Sequence, residues 1–304
     1  MFQCSRRLGP IRLWALSSTC ELAFGFSPCP NDTFAFWAAV SGALAPGDVQ
    51  LEIGAIADIE SLNQRAVRGG DSRLPVTKLS LPALSAVTDD YAVLSAGAAL
   101  GFGCGPLVVS RRDAPEISTL EDLGGRRIAT PGRNTTARLL FQIFAPNSCE
   151  LIDTGFEQVM PMVAAGECDA GLIIHECRFT YPQMGLLELA DLGQLWEDRF
   201  GLPLPLGVIA MQRAQGRERF DEVARVLRAS VAFARQHPEA PREFIRQHAQ
   251  ELDDAVCDQH IGLYVNDFSV DLGETGCRAI DTLLQTGRQA GLLPDGAGPW
   301  WGDR

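Results

Sequence analysis

The chain has 304 residues, 46% hydrophobic and 21% charged, enough to bury a large core and, on length alone, to divide into about two domains. A formal net charge of −12 argues against a generic nucleic-acid binder, which needs a cationic face for phosphate, and leaves room only for a local basic pocket that takes a small anion. Nine cysteines, at positions 4, 20, 29, 104, 149, 168, 177, 257 and 277, are odd in number and include no CxxC pair, a pattern of reduced thiols in the cytoplasm rather than of a disulfide framework or zinc site.

At the N-terminus Arg6, Arg7 and Arg12 precede Leu13-Trp14-Ala15-Leu16, a faint imitation of a secretory signal. Its apolar stretch of about four residues falls short of the roughly seven to fifteen required, so residues 1–20 read as a disordered extension. No later segment approaches the roughly 18 apolar residues of a membrane span. From Glu21 the pattern becomes regular: Leu22 to Phe26 reads as a short buried strand, broken by Ser27-Pro28-Cys29-Pro30, after which Asn31 or Asp32 can cap a helix through Val40. Strand, rigid turn and capped helix place backbone N–H groups at a ligand cleft.

A second strand near Val49 to Ile53 leads to an amphipathic helix around Ile59 to Val67. Pro75 to Ser80 then crosses from extended chain into a helix start, with Lys78 a mobile cation in a strand-to-helix turn and Ser80 a hydroxyl donor; the alternative for Lys78 is a solvated surface loop. Tyr91 to Leu94 is a strand, four glycines lie between Gly97 and Gly105, and Pro106 to Val109 is again strand-like, which fits a hinge crossing. Beyond it, Leu120 to Gly125 reads as the end of a helix, followed by a strand to Thr130, and Pro131-Gly132-Arg133-Asn134-Thr135-Thr136-Ala137 opens a helix running to Phe144. Gly132 permits close backbone approach, and Thr135 and Thr136 offer hydroxyls beside unpaired helix N–H groups where a carboxylate would be stabilised; the alternative is an ordinary threonine N-cap.

A helix from Phe156 to Val163, ended by Gly166, precedes the apolar run Asp169 to Ile174, which delivers His175 to the end of a buried strand. Ligands collect at the carboxyl ends of strands in open α/β sheets, so an imidazole titrating near neutrality there is a candidate general base or acid, though it can equally cap a carbonyl. Cys29 and Cys177 adjoin polar loops, either as small packed thiols or as reactive ones. Leu202 to Ala210 is a proline-interrupted extended run that reads as the return crossing, and the remainder is mainly helical, over Phe220 to Arg235 and Pro241 to Ala249. His237, His248 and His260 fall on polar faces or helix ends and are given no role.

Two extended crossings between α/β units predict a two-lobed α/β architecture with mixed sheets flanked by helices, a periplasmic-binding-protein-like type II fold. Residues 21–105 plus 207–304 form one lobe and residues 106–206 the inserted second.

Four segments, Ser27-Pro28-Cys29-Pro30-Asn31-Asp32-Thr33-Phe34, Pro75-Val76-Thr77-Lys78-Leu79-Ser80, Pro131 to Ala137 and Leu172-Ile173-Ile174-His175-Glu176-Cys177-Arg178-Phe179-Thr180-Tyr181-Pro182, together resemble the 1,4-dihydroxy-6-naphthoate synthase family of the futalosine route to menaquinone. Leu202 to Gly207 and Tyr264 to Ser269 extend the likeness to roughly Leu22 to Leu283. The resemblance implies a cofactor-free, metal-free lyase that converts cyclic dehypoxanthinyl futalosine to 1,4-dihydroxy-6-naphthoate and releases a three-carbon sugar fragment. It implies His175 as proton acceptor and Lys78, Leu79, Ser80, Thr136 and Ala137 as substrate contacts, with Thr135 added from its place at the same helix start. Cys177 stands where serine is expected. The partner implied is a small carboxylate-bearing substrate, with neither nucleic acid nor membrane, for a cytoplasmic monomer or homodimer. A solute-binding protein for a small carboxylate and a chorismate dehydratase of the same pathway are the rival functions, the latter disfavoured by the segment from His175 to Pro182.

Overall fold

A computed structural model of the chain describes residues 20–45, 47–249, 253–295 and 299–301. The expected N-terminal extension lies outside these residues apart from Cys20, which already belongs to the first strand.

Eleven strands form two sheets among the described residues. The first sheet contains β1 (Cys20–Phe26), β2 (Val49–Ile56), β3 (Val76–Ser80), β4 (Tyr91–Val93), β5 (Ala99–Gly101) and, much later in sequence, β11 (Leu204–Gln212). Its order is β2-β1-β3-β11-β4, with β5 also on β11; β2, β1 and β3 run parallel and β11 runs against its neighbours. The second sheet is made by the intervening chain, β6 (Leu107–Arg111), β7 (Arg127–Thr130), β8 (Glu150–Asp153), β9 (Ala170–Ile173) and β10 (Leu186–Asp191), in the order β10-β6-β9-β7-β8. These are two mixed sheets flanked by helices, one inserted in the other's sequence, with crossings at residues 102–106 and at the Leu192–Phe200 helix leading to β11.

Local sequence explains the elements nearest the crevice. Ala23 is only partly exposed and Phe24 to Phe26 are buried, as expected of a strand covered on both faces. Phe24, Phe26 and Phe36 pack their rings 5.0–5.7 Å apart, fixing the following helix, Pro30–Val40, over the sheet. That helix starts one residue before the expected cap: Pro30, whose fixed φ suits the first helical position, moves the N-cap to Cys29 and puts Asn31 and Asp32 in the first turn. The helix end expected from Leu120 is a single 3₁₀ turn, Glu121–Leu123. The longest apolar cluster runs from Leu79 and Leu84 in the first lobe through Trp196 to Val108, Ile128 and Leu140 in the second, so one core is continuous across the junction. No helix of the described residues is long and apolar enough to cross a membrane.

The crossings touch at two glycines. The backbones of Gly105 and Gly193 approach so closely that a Cβ on Gly105 would lie on the Gly193 main chain. Arg178 fastens the spot, donating to the Gly105 carbonyl at 2.5 Å and to Asp191 at 2.6 Å, while Asp191 caps the Leu192–Phe200 helix through the Gly193 and Gln194 N–H groups. The clash is backbone on backbone, so neither side can rotate away. Gly105→Ala is expected to destabilise the protein by roughly 2–3 kcal/mol, the upper part of the overpacking range, read as a lowered urea midpoint at unchanged m value; a midpoint equal to that of the wild type would show the crossing to be loose.

Candidate active site

The carboxyl ends of β1, β3, β7 and β9 converge on the crevice between the sheets, and the residues after them build its walls. Lys78, Ser80, Leu206 and Gly207 line it from the first sheet, which β11 joins at Leu204, ahead of the lobe boundary expected at 207; Thr135, Thr136, Ala137, Ile174 and His175 line it from the second, and His260 and Tyr264 from the Asp254–Tyr264 helix. Of the seven residues expected at the site, six side chains line this cavity and one does not. Leu79 lies between Lys78 and Ser80 on β3, and because alternate strand residues point to opposite faces, its side chain is in the apolar core, fully buried.

Lys78 is not the mobile loop cation expected from sequence. It lies within β3, 5% exposed, and its ammonium donates to both oxygens of Asp32 at 2.6 and 2.7 Å. Asp32 also accepts from the Ser27 N–H at 3.0 Å, the Ser27 hydroxyl at 2.6 Å and the Asn31 amide at 2.9 Å. A carboxylate so fully hydrogen-bonded can hold a buried cation, and an ammonium has three donors, so one remains for a guest. Ser80 is fixed by Asn63, which accepts from its backbone N–H at 2.9 Å and donates to its hydroxyl at 3.0 Å.

Across the crevice the Thr136–Phe144 helix points its N-terminus at the cavity. Thr135 does serve as its N-cap, accepting from the Arg138 N–H at 3.3 Å and donating to the Gly132 carbonyl at 2.8 Å. Thr136 spans the lobes, donating to the Leu206 carbonyl at 2.8 Å. Both hydroxyls are thus engaged in structure, and what the helix start offers a guest is its first backbone N–H groups. Gly132, at φ 124°, receives the Glu60 side chain where a Cβ would stand, and Glu60 accepts from the Asn134 N–H at 3.1 Å and side-chain amide at 2.8 Å. The lobes are therefore closed on each other at this edge.

His175 ends the β9 segment with φ 57°, the single non-glycine residue in the left-handed region among those described. Backbone strain of this kind concentrates at functional positions. Its Nδ1 lies 3.3 Å from the Cys29 sulfur and its ring packs edge-on against Phe156 at 4.9 Å, while Nε2 has no hydrogen-bond partner among the described residues. Burial, helped by the Lys78 charge, lowers its pKa to about 3, against the near-neutral value expected from sequence. The imidazole is consequently neutral at physiological pH and able to accept a proton. Burial and the nearby Glu176 carboxylate push the Cys29 thiol well up, so Cys29 is the packed thiol rather than a nucleophile.

Sequence reasoning missed Asp32 as the partner of Lys78, and it missed His260. The latter, assigned to polar helix surface, is 1% exposed and lies with its ring 6.4 Å from that of His175. Its signal was present, since Cys257, His260 and Tyr264 follow one another at helical spacing on one buried face. Among the described residues no cluster of three or more His, Cys, Asp or Glu side chains is placed to hold a metal ion.

Comparison with known proteins bears on what this geometry serves. Residues 22–289 match a protein-family model described as menaquinone biosynthesis. Two proteins named 1,4-dihydroxy-6-naphthoate synthase are each 47% identical to the chain: one from Thermus thermophilus over 89% of this chain and 95% of its own length, and one from Streptomyces coelicolor over 90% and 95%. Among solved structures, the alkanesulfonate-binding protein of Xanthomonas axonopodis superposes with a TM-score of 0.67 at 14% identity, covering 91% of this chain and 95% of that one, a likeness of fold alone. With its two mixed sheets and closed crevice, the chain has the periplasmic-binding-protein-like architecture and belongs to the menaquinone-biosynthesis family that includes the 1,4-dihydroxy-6-naphthoate synthases.

Proposed function

We propose that this chain is the lyase that converts cyclic dehypoxanthinyl futalosine to 1,4-dihydroxy-6-naphthoate with release of a three-carbon sugar fragment, acting in the cytoplasm without a cofactor, with His175 as general base. The observation that carries this is a neutral imidazole whose one unengaged nitrogen lines the crevice, opposite a buried cation. Opening a sugar-derived ring and aromatising the product requires a proton to be removed and returned, work within reach of one imidazole. Lys78 and the N–H groups at the start of the Thr136–Phe144 helix are the groups that receive negative charge, whether the substrate carboxylate or a developing enolate. A crevice closed by the Glu60 and Thr136 bonds excludes water while the fragment departs. The test is incubation of the purified protein with cyclic dehypoxanthinyl futalosine and mass spectrometry for the naphthoate; absence of product under conditions in which the protein is folded would refute the assignment.

His175→Asn suits the left-handed backbone, which Asn tolerates better than most residues, and is expected to fold while lowering kcat by about 10²–10⁴ with KM little changed; wild-type turnover would remove the base role. Because base action needs the unprotonated ring and its pKa lies near 3 in the free protein, kcat/KM is expected to stay level as pH falls through 6.5 and to decline only toward 3. An inflection near 6.5 would instead show the ring solvated before substrate arrives.

Lys78→Met alone leaves the Asp32 carboxylate buried and uncompensated, an expected loss of about 3–5 kcal/mol in stability. Pairing it with Asp32→Asn is expected to recover most of that loss yet leave KM raised at least about tenfold, as for a lost charge-assisted contact. A doubly substituted protein with wild-type KM would place the carboxylate elsewhere.

A further inference from the structure

His260 takes no part in the proposed proton transfer at His175. It projects from the Asp254–Tyr264 helix into the crevice, 1% exposed, with its ring stacked at 4.5 Å on Tyr264 and 6.4 Å from His175. Neither Nδ1 nor Nε2 has a hydrogen-bond partner among the described residues. Buried polar atoms are nearly always satisfied, so two orphaned nitrogens on one ring that lines a cavity point to a guest that supplies the missing partner. A purely structural ring at this position would be better served by phenylalanine.

We propose that His260 is a second substrate-touching imidazole of this site, donating its N–H to the substrate oxygen on which negative charge develops when His175 takes the proton. This rests on the proposed lyase activity and names a residue that activity has not yet been given. Two rings 6.4 Å apart can touch neighbouring atoms of one guest, with the carbon that loses the proton toward His175 and the oxygen that gains charge toward His260. A neutral imidazole carries one donor and one acceptor, and burial, with the Lys78 charge adding to it, holds this ring neutral. The N–H bond is not broken: the proton stays on His260, and the oxyanion is stabilised by a hydrogen bond in a site from which water is excluded.

The test has two arms. In the kinetic arm, His260→Phe keeps an aromatic ring on Tyr264 and removes both orphaned nitrogens. The variant is expected to melt at or above the wild-type temperature yet lose about 10²–10³ in kcat with KM within about threefold, the cost of one oxyanion donor. His260→Gln, which keeps an N–H donor, is expected to regain about tenfold or more of that loss. His260→Phe with wild-type kcat and KM would overturn the proposal. In the binding arm, protein labelled with ¹⁵N in its histidines and carrying His175→Asn is titrated with cyclic dehypoxanthinyl futalosine and, separately, with 1,4-dihydroxy-6-naphthoate. The His260 ring nitrogens are expected to shift on saturation, and resonances unmoved by both compounds would overturn the proposal even where a variant fails to fold. Wild-type protein that shows this shift without making product would overturn the lyase assignment and leave the contact standing.

Discussion

The buried pair of Lys78 and Asp32 is the interaction on which the rest of the crevice depends. Taking an ammonium and a carboxylate out of water is costly, and the cost is offset only when both are fully hydrogen-bonded. Asp32 meets that condition through Ser27, Asn31 and Lys78, all delivered by the turn after β1 and the adjacent strand β3. The turn is held rigid by Pro28 and Pro30, which fixes where the carboxylate stands at the start of its helix. Once formed, the pair leaves one ammonium N–H directed at the crevice in a chain whose net charge is −12. Composition leaves room for a local basic group of this kind, and Lys78 stands on β3, between β1 and β11 in the first sheet.

That cation shapes the chemistry of both imidazoles. Its field adds to burial in holding His175 and His260 in their neutral forms, which fits them to accept a proton and to donate a hydrogen bond without ionising. The same depression makes His175 a weak base in the empty crevice. On the proposed function, a substrate carboxylate near Lys78 would introduce a compensating negative charge and raise the basicity of the imidazole. The proposed lyase would in this way couple substrate binding to base activation through one charge.

Much of this was legible in the sequence, and the failures share a physical cause. The strand ending at His175, the N-cap at Thr135 and the proline-interrupted run that became β11 are all signalled by residues within a few positions of one another, whereas the space expected for a ligand at Gly132 is taken by the Glu60 side chain. Lys78 reads from sequence as a mobile cation in a strand-to-helix turn, and what holds it within β3 instead lies 46 residues away, in Asp32. His260 was set aside on its own polarity, although its helical register with Cys257 and Tyr264 placed it on a buried face. Leu79 enters only through the family resemblance, as part of a segment with Lys78 and Ser80, and strand alternation turns its side chain into the core. The left-handed backbone of His175 had no local signal, since nothing about histidine asks for it; the chain must turn sharply there to carry the short Cys177–Thr180 helix past the crevice.

The contact between His175 and Cys29 ties these features into one constraint on mechanism. Residues 146 apart in sequence bring Nδ1 and sulfur to 3.3 Å, one on each lobe, so the contact forms only when the crevice is closed. With the thiol held well above its ordinary pKa, sulfur stays protonated and is available as a weak donor or weak acceptor. A base acting through Nε2 needs the tautomer with its proton on Nδ1, directed at sulfur. As His175 becomes an imidazolium, both nitrogens are donors, and the Nδ1 side then faces a polarisable sulfur in place of an apolar wall. The closed crevice thus orients the ring with Nδ1 on sulfur and Nε2 toward the cavity, and for the proposed base it would give the protonated state a polarisable neighbour where an alanine or valine would offer only an apolar wall.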